Sequence, residues 1–154
     1  MKKIMLVDDE VNILKSLGRL LSFQSDWEVE TYDNATDALK RARSSIFDVI
    51  ISDYNMPEYH GIDFLRDMRE LQPDACRILL TGVADMETLT AAINTAGAFR
   101  FFTKPWDDDQ LIQGIREGIH YRQIQVENRM LAEKLRDQED ELEEYRRMMR
   151  KTGS

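Results

Sequence analysis

The chain has 154 residues and a formal net charge of -8 at pH 7, with 42% hydrophobic and 32% charged residues. This length allows one domain with a full hydrophobic core plus an extension, and the acidic balance argues against a general nucleic-acid coat, because phosphate binding requires a basic face. The single cysteine, Cys76, cannot form a disulfide within the chain, and the opening MKKIMLVDDE has too few apolar residues for a signal peptide. We therefore expect a cytoplasmic protein without a membrane span.

Short apolar runs alternate along the chain with segments of helical period. The apolar runs predict five strands, over residues 3–7, 28–32, 47–52, 77–80 and 99–102. The helical spacing predicts helices over residues 11–23, 35–43, 62–71 and 85–96, and a further helix that begins after Trp106. Strands that alternate with helices pair in parallel through right-handed crossovers, with helices on both faces of the sheet. The prediction is an α/β protein with one doubly wound, five-stranded parallel sheet.

Polar side chains stand at the carboxyl ends of four of these strands. Asp8 and Asp9 follow the first strand and Asp53 follows the third. Thr81 follows the fourth and Lys104 comes shortly after the fifth. Taken singly, each is more often a helix cap or a loop residue, as Asp9 would be before the first helix. Together they predict a site, because sites in parallel sheets form outside the carboxyl ends of the strands.

The chemistry of this residue set points to a metal and a phosphoryl group. Three neighbouring carboxylates repel one another and are driven to protonate unless cations share their site. Magnesium prefers oxygen ligands, and phosphate oxygens often complete its shell. An aspartate in this position can attack phosphorus as a nucleophile, while the metal and Lys104 offset the charge on the transferring group. The residues therefore predict that the partner of Asp53 is Mg²⁺, followed by a phosphoryl group.

Residues 3–120 of the chain resemble the receiver domain of a two-component response regulator. The motifs that carry the resemblance are LVDDE at 6–10, SDYNMPEYHG at 52–61, LLTG at 79–82 and FFTKPW at 101–106. The resemblance implies a flavodoxin-like sheet with the strand order 2-1-3-4-5. It also implies a phosphoryl group that comes from a sensor histidine kinase or a phosphotransfer protein.

The same resemblance assigns the acceptor and the metal ligands. Asp53 is expected to be the phosphoacceptor and to contribute to the metal site. Asp9 is expected to bind Mg²⁺ directly, and Asp8 to bind it directly or through water. The backbone carbonyl of Asn55 is a further expected ligand, and the position of Asn55 also tunes the access of hydrolytic water in this family.

Thr81 and Lys104 are expected, again by resemblance, to contact the phosphoryl group, with Thr81 also acting in the switch. The peptide bond between Lys104 and Pro105 is expected to be cis. Phe101 occupies the position of the switch aromatic, which is often tyrosine in this family, and it lacks the hydroxyl that can bond to backbone. Val83 occupies a second position that tunes water access, and its apolar side chain gives that water no polar help.

The last third of the chain is predicted to be one long helix. Ile112, Ile115 and Ile119 have the spacing of a face packed on the receiver. From residue 124 the spacing becomes a heptad, with d positions at Ile124, Leu131, Gln138 and Tyr145 and a positions at Asn128, Leu135, Leu142 and Met149. This pattern predicts a receiver domain over 1–122 and a coiled-coil linker helix over 123–150. Because the repeat is short and contains Gln138, a solvated single helix is the alternative.

A parallel homodimer is the predicted product of this coiled coil. With Asn128 at an a position, Lys134 faces Glu139 and Glu141 faces Arg146 across the g and e positions. Each pair joins residues of opposite charge. The amide of a buried asparagine is also best satisfied by hydrogen bonds to the same asparagine in a second copy of the chain. The basic end YRRMMRK is interpreted as a solvated helix terminus, so no nucleic-acid binding is expected of this chain.

Three functions remain open on the sequence alone. The leading hypothesis is a signalling module that passes a conformational change into the C-terminal helix, with enzymatic activity limited to self-phosphorylation and dephosphorylation. Alternatively, the native chain continues into an enzyme, because FRFFTKPWDD and ENRML resemble receivers fused to HD-type phosphohydrolases that act on cyclic dinucleotides. A third hypothesis is an aspartate-based phosphatase, against which the missing cap domain and DxD motif argue. His60 and His120 are expected to be solvated surface residues.

Overall fold

The computed structural model describes residues 1–85, 89 and 100–153, with the backbone alone described at Ala84. Five described strands form one sheet, with the bounds β1 Lys2–Val7, β2 Trp27–Tyr32, β3 Val49–Asp53, β4 Cys76–Gly82 and β5 Arg100–Lys104. Every pair of neighbours is parallel, and the order is β2-β1-β3-β4-β5. The predicted α/β class, parallel pairing and strand order are confirmed.

Four described α-helices accompany the sheet: α1 Val11–Ser22, α2 Ala35–Ala42, α3 Gly61–Leu71 and α4 Asp108–Thr152. A short 3₁₀ turn, Val83–Asp85, follows β4. Nearly all of the predicted helix over residues 85–96 lies outside the described residues. The long C-terminal helix that was predicted after Trp106 is confirmed, while its pairing as a coiled coil stays a prediction.

The sheet is covered by an apolar core on each face. One core joins alternate residues of the central strands to α2 and α3, with Met5, Ile50, Leu79, Phe64, Leu65 and Met68 among its members. The other joins the intervening residues to α1 and the first turns of α4, with Ile4, Leu6, Ile51, Ile78, Leu17 and Ile115 among its members. Central strands are therefore buried on both faces, which explains why they appear in the sequence as uninterrupted apolar runs.

Three strands extend further than predicted, and each extension adds polar residues at the carboxyl end of the strand. The expected strands stopped at residues 52, 80 and 102, whereas β3 includes Asp53, β4 includes Thr81 and β5 includes Lys104. The backbone ladder continues because Thr81 pairs with Thr103 and the next residue along β4 pairs with Lys104. Strand pairing depends on backbone groups, so polar side chains at its end do not stop it. These residues are consequently held by the sheet itself.

The capping residues differ from the sequence-based suggestion at α1. Glu10 is the N-cap and makes no side-chain cap bond, so Asp9 does not cap this helix. Asp8 instead accepts a hydrogen bond from the backbone N–H of Glu10 at 2.9 Å. At α2, Asn34 accepts from the N–H of Asp37 at 2.8 Å, as an N-cap asparagine does. Asp9 is thereby left with an exposed carboxylate.

The chain forms two compact units, Met1–Arg122 and the segment from Gln123 onward, and α4 contributes to both. In the first unit, Leu111, Ile115 and Ile119 of α4 are buried, so two of the three predicted isoleucines lie in the core and Ile112 is partly buried. In the second unit, every described residue from 127 onward is exposed. None of the described helices has the length and hydropathy that a membrane crossing requires.

Candidate functional site

The carboxyl edge of the sheet brings four charged residues together. Asp8 and Asp9 follow β1 directly, Asp53 ends the adjacent strand β3, and Lys104 ends β5. One carboxylate oxygen from each of the three aspartates lies within 4.8 Å of the others. Asp8 and Asp53 are buried, while Asp9 is exposed. Residues that are 96 positions apart in sequence therefore share one small volume.

Lys104 is the cation of this cluster. Its Nζ lies 2.9 Å from Oδ2 of Asp8 and 2.9 Å from Oδ1 of Asp53. Burial is the largest single influence and disfavours its ammonium form, but the hydrogen bonds and negative charges of Asp53 and Asp8 together outweigh burial and raise the pKa of Lys104 above its usual value. The lysine stays charged and bridges the two buried carboxylates.

The environment of Asp53 raises its pKa to about 6. Burial is the largest cause, and the negative charges of Asp8 and Asp9 act in the same direction, whereas the hydrogen bond from Lys104 opposes them. One ammonium would by itself lower the pKa of a carboxyl group, so burial and two like charges exceed its effect here. Three carboxylates share one ammonium, so the cluster is short of positive charge. A dication beside these carboxylates would favour their ionised form.

The residues of the cluster fit a magnesium ion. Three carboxylate oxygens within 4.8 Å of one another form a donor set of hard oxygen ligands, which is the set that Mg²⁺ prefers. A small number of protein ligands also suits this ion, because it keeps several waters. Asn55, whose backbone carbonyl is a predicted ligand, lies two residues beyond Asp53 in the loop after β3.

Thr81 and Phe101 occupy neighbouring strands beside the cluster. Thr81 is fully buried near the end of β4, and its Oγ1 donates to the carbonyl of Gly82 at 3.2 Å. Gly82 pairs in register with Lys104, so the hydroxyl and the ammonium belong to adjacent strand ends. Phe101 lies on β5 and is 37% exposed, so part of its side chain faces solvent. The bond between Lys104 and Pro105 is cis, as predicted.

Gly61, which supports Asp53, had no role in the sequence-based prediction. Gly61 begins α3 and donates its N–H to the carbonyl of Tyr54 at 3.0 Å. A Cβ at Gly61 would overlap the carbonyl oxygen of Asp53 and lie 2.9 Å from Cα of Tyr54. Only glycine allows this approach of helix to strand. The glycine that closes SDYNMPEYHG was an available signal for such packing.

His60 was predicted to be a solvated loop residue, and this prediction was incomplete. Its Nδ1 accepts a hydrogen bond from the N–H of Ile62 at 3.3 Å, so it is the N-cap of α3. Its ring also makes an edge contact with Tyr54, with 4.4 Å between ring centroids. The residue is half-buried and directly precedes the first residue of α3. His120 is exposed on α4, as predicted.

A hydrogen bond connects the loop after β3 to the turn after β4. Nδ2 of Asn55 donates to Oδ2 of Asp85 at 2.9 Å. Sequence reasoning assigned no role to Asp85, because the contact depends on a 3₁₀ turn that brings residues 30 positions apart into reach.

Comparisons with known proteins agree with this geometry. The family model described as "Response regulator receiver domain" matches residues 4–116. Two similar proteins are the hydrogenase transcriptional regulatory protein HoxA of Bradyrhizobium diazoefficiens, 39% identical over 124 residues, and the C4-dicarboxylate transport transcriptional regulatory protein DctD of Rhizobium meliloti, 32% identical over 128 residues. These matches cover 80% and 83% of this chain but 25% and 27% of the relatives. The chain thus spans about a quarter of their length.

Solved structures also match the fold of this chain. An adenylate cyclase structure from Rhodopirellula baltica matches with a TM-score of 0.80 and 32% identity, over 86% of this chain and 97% of that one. A signal receiver domain of an HD domain-containing protein from Pseudomonas fluorescens matches with a TM-score of 0.76 and 32% identity, over 82% and 92%.

Proposed function

The chain belongs to the response regulator receiver domain family of two-component systems, and we propose that Asp53 is the residue that accepts the phosphoryl group. One observation carries the proposal: Asp8, Asp9 and Asp53 converge with Lys104 at a single edge of the sheet. Asp53 is the buried carboxylate at the end of a central strand. It therefore presents one oxygen to Lys104 and has a second oxygen for attack.

The chemistry is a transfer between two nucleophiles. An oxygen of the Asp53 carboxylate attacks phosphorus, the bond from phosphorus to a histidine nitrogen of the donor breaks, and the electron pair stays with that nitrogen. Lys104 holds an oxygen of the transferred group, and Thr81 donates its hydroxyl to another. Mg²⁺, held by Asp8, Asp9, Asp53 and the carbonyl of Asn55, would supply a Lewis acid at the phosphoryl oxygens.

The proposed signal starts at Thr81. Its hydroxyl donates to Gly82 at 3.2 Å, and a phosphoryl oxygen would be a stronger, charged acceptor. A turn of the hydroxyl toward Asp53 shifts the end of β4, against which β5 and the half-exposed Phe101 are paired. The neighbouring Phe102 packs so closely on Gly114 that a Cβ there would overlap its ring. A shift of β5 therefore reaches α4 directly.

Two partners belong to this proposal. A sensor histidine kinase or a phosphotransfer protein supplies the phosphoryl group, in the cytoplasm. A second copy of the chain pairs through the helix after residue 123, because Leu135, Leu142 and Met149 repeat every seven residues and are all exposed in the single chain. We expect a parallel arrangement from the oppositely charged pairs Lys134–Glu139 and Glu141–Arg146.

A longer native protein would carry an output beyond this chain. The names of HoxA and DctD support an output in transcription, and the similar receiver from an HD domain-containing protein supports a hydrolase of that type. The family assignment favours either over an aspartate-based phosphatase. Sequencing of the gene on both sides of this segment separates the two outputs.

The acceptor is tested by labelling the Asp53→Asn variant with acetyl phosphate and Mg²⁺. We expect labelling of the unmodified protein that is abolished in the variant, since an amide does not attack phosphorus. Asp33→Asn is the matched control, because Asp33 follows strand β2 and lies outside the aspartate cluster. Full labelling of Asp53→Asn, with an acid-stable product, would contradict the assignment.

Lys104→Ala tests the step from phosphorylation to response. The variant should bind Mg²⁺, because the three aspartates remain, but its phosphorylation should no longer produce the shift of β5 that is proposed for the unmodified protein. Labelling is measured in parallel with the NMR signals of the β5 backbone before and after acetyl phosphate is added. An unchanged phosphorylation-dependent response would rule out this role for Lys104.

A further inference from the structure

The hydrogen bond between Asn55 and Asp85 bridges the two loops that flank the proposed phosphorylation site. Asn55 lies two residues beyond Asp53, and Asp85 lies four residues beyond Thr81. Nδ2 of Asn55 donates to Oδ2 of Asp85 at 2.9 Å. The acceptor is a carboxylate, and hydrogen bonds to charged acceptors are stronger than neutral ones. The bridge thus fixes the direction of the Asn55 amide.

The turn after β4 places this carboxylate over the strand end. The acceptor oxygen of Asp85 lies 3.8 Å from the position that a Cβ of Gly82 would take, so the side chain folds back toward the residue that follows Thr81. The loop of Asn55 is held to the same strand at its base, where the N–H of Tyr54 donates to the carbonyl of Leu80 at 2.7 Å. The hydrogen bond between Asn55 and Asp85 is therefore a second link between the ends of β3 and β4, in addition to this backbone hydrogen bond.

We propose that Asp85 is a positioning residue that holds the Asn55 amide away from the water that hydrolyses the phosphorylated Asp53. The inference rests on the proposed function of Asp53. An amide offers both a donor and an acceptor, and such a group orients a water well when it is free to turn toward it. Val83, at the start of the same turn, is apolar and 69% exposed, so it provides no polar group to replace the amide. Asp85 thereby prolongs the phosphorylated state.

The reaction that Asp85 slows is an ordinary hydrolysis. The oxygen of a water molecule attacks phosphorus and the bond from phosphorus to the Asp53 oxygen breaks. The carboxylate of Asp53 is regenerated, inorganic phosphate leaves, and the proton of the attacking water passes to phosphate or solvent. The rate depends on how often a water lies in line behind phosphorus, which is the property that a free Asn55 amide would increase.

The test is the lifetime of the phosphorylated protein in four variants. Protein is labelled with radioactive acetyl phosphate and Mg²⁺, the donor is removed, and loss of label is followed. Asp85→Ala should hydrolyse roughly 3- to 10-fold faster, the change that the net strength of one hydrogen bond allows. Asp85→Asn removes the charge but keeps an acceptor oxygen for Asn55, so its lifetime should stay within about twofold of the unmodified protein.

A double-mutant cycle shows whether Asp85 acts through Asn55. In the Asn55→Ala background, Asp85→Ala should have no further effect, because the amide that it positions is absent. The same acceleration in both backgrounds, equal lifetimes for Asp85→Ala and the unmodified protein, or slower hydrolysis in Asp85→Ala would each overturn the proposal. Failure of the unmodified protein to take up label would instead count against the function proposed for Asp53.

Discussion

The two units of the chain bury their apolar residues in different ways, although one helix contributes to both. In the receiver unit, Leu111, Ile115 and Ile119 of α4 lie in a core shared with the sheet. In the unit that begins at Gln123, Leu135 and Leu142 are 59% and 50% exposed. The two stretches contain similar side chains, so hydrophobicity alone does not decide burial. What differs is whether the chain itself supplies the opposing surface.

Charge is also distributed differently in the two units. The receiver concentrates three aspartates and one lysine at a single edge of its sheet. The helical unit instead separates its charges along the axis, with six acidic residues within 137–144 and four basic residues within 146–151. Cations near the end of a helix suit the negative end of its dipole. The charged residues thus form a site in the receiver unit and a solvated surface in the helical unit.

The largest expected effect comes from replacing Leu135 and Leu142 with lysine. Burying each leucine contributes roughly 1.5–3 kcal/mol, and both copies lose two of them, so a coiled-coil dimer should dissociate completely. Sedimentation should report monomers, while thermal unfolding of the receiver stays unchanged. Such a result would identify a second copy of the chain as the surface that covers these leucines.

The matched control adds the same charge away from the a and d positions, as Met130→Lys with Met148→Lys. This control should remain dimeric at the concentration that dissociates the leucine variant. If sedimentation finds that the unmodified chain is monomeric at high micromolar concentration, the helix is a solvated single helix and the dimer proposal fails.

Phe64→Ala should destabilise the receiver without affecting the helical unit. The ring is fully buried in the core between the sheet and α3, and a cavity of this kind costs about 3–5 kcal/mol of unfolding free energy. Chemical denaturation measures the loss. Met130→Ala, in the exposed helix, should change the stability by no more than about 0.5 kcal/mol. Equal losses in the two variants would show that the core of the receiver and the exposed helix contribute alike to stability.

The smallest effect concerns an ion pair that fastens the first part of α4. Arg116 donates to Asp26 at 3.2 Å, and this hydrogen bond is the main cause that lowers the pKa of Asp26. A lowered pKa contributes stability above the pKa of the unfolded carboxyl, about 3.9, and the contribution is lost as pH falls through the lower, folded value. Arg116→Met should raise the pKa of Asp26 toward its ordinary value in an NMR titration.

Arg66→Met is the control for this titration, since Arg66 pairs with Asp63 at 2.9 Å instead. It should leave the pKa of Asp26 unchanged. An identical Asp26 titration in Arg116→Met and the unmodified protein would show that this contact does not hold α4 in solution.

Much of the architecture follows from local sequence patterns. Alternating strand and helix signals were sufficient for the sheet, and the resemblance supplied its order. The polar strand ends were sufficient to select Asp8, Asp9, Asp53 and Lys104 as neighbours, because parallel strands place their carboxyl ends at one edge. Strand limits were less accurate, since backbone pairing continued through Thr81 after the apolar pattern had ended.

The sequence by itself determined the fold class, the residues at the edge of the sheet and the heptad in the last helix, because each depends on spacing along the chain. Tertiary structure decided which of these residues touch. Lys104 bridges Asp8 and Asp53, Gly61 gives room to the carbonyl of Asp53, and Asp85 accepts from Asn55. These contacts depend on the positions of individual atoms to within an ångström or so. No periodic pattern records such positions, so only the folded chain can establish them.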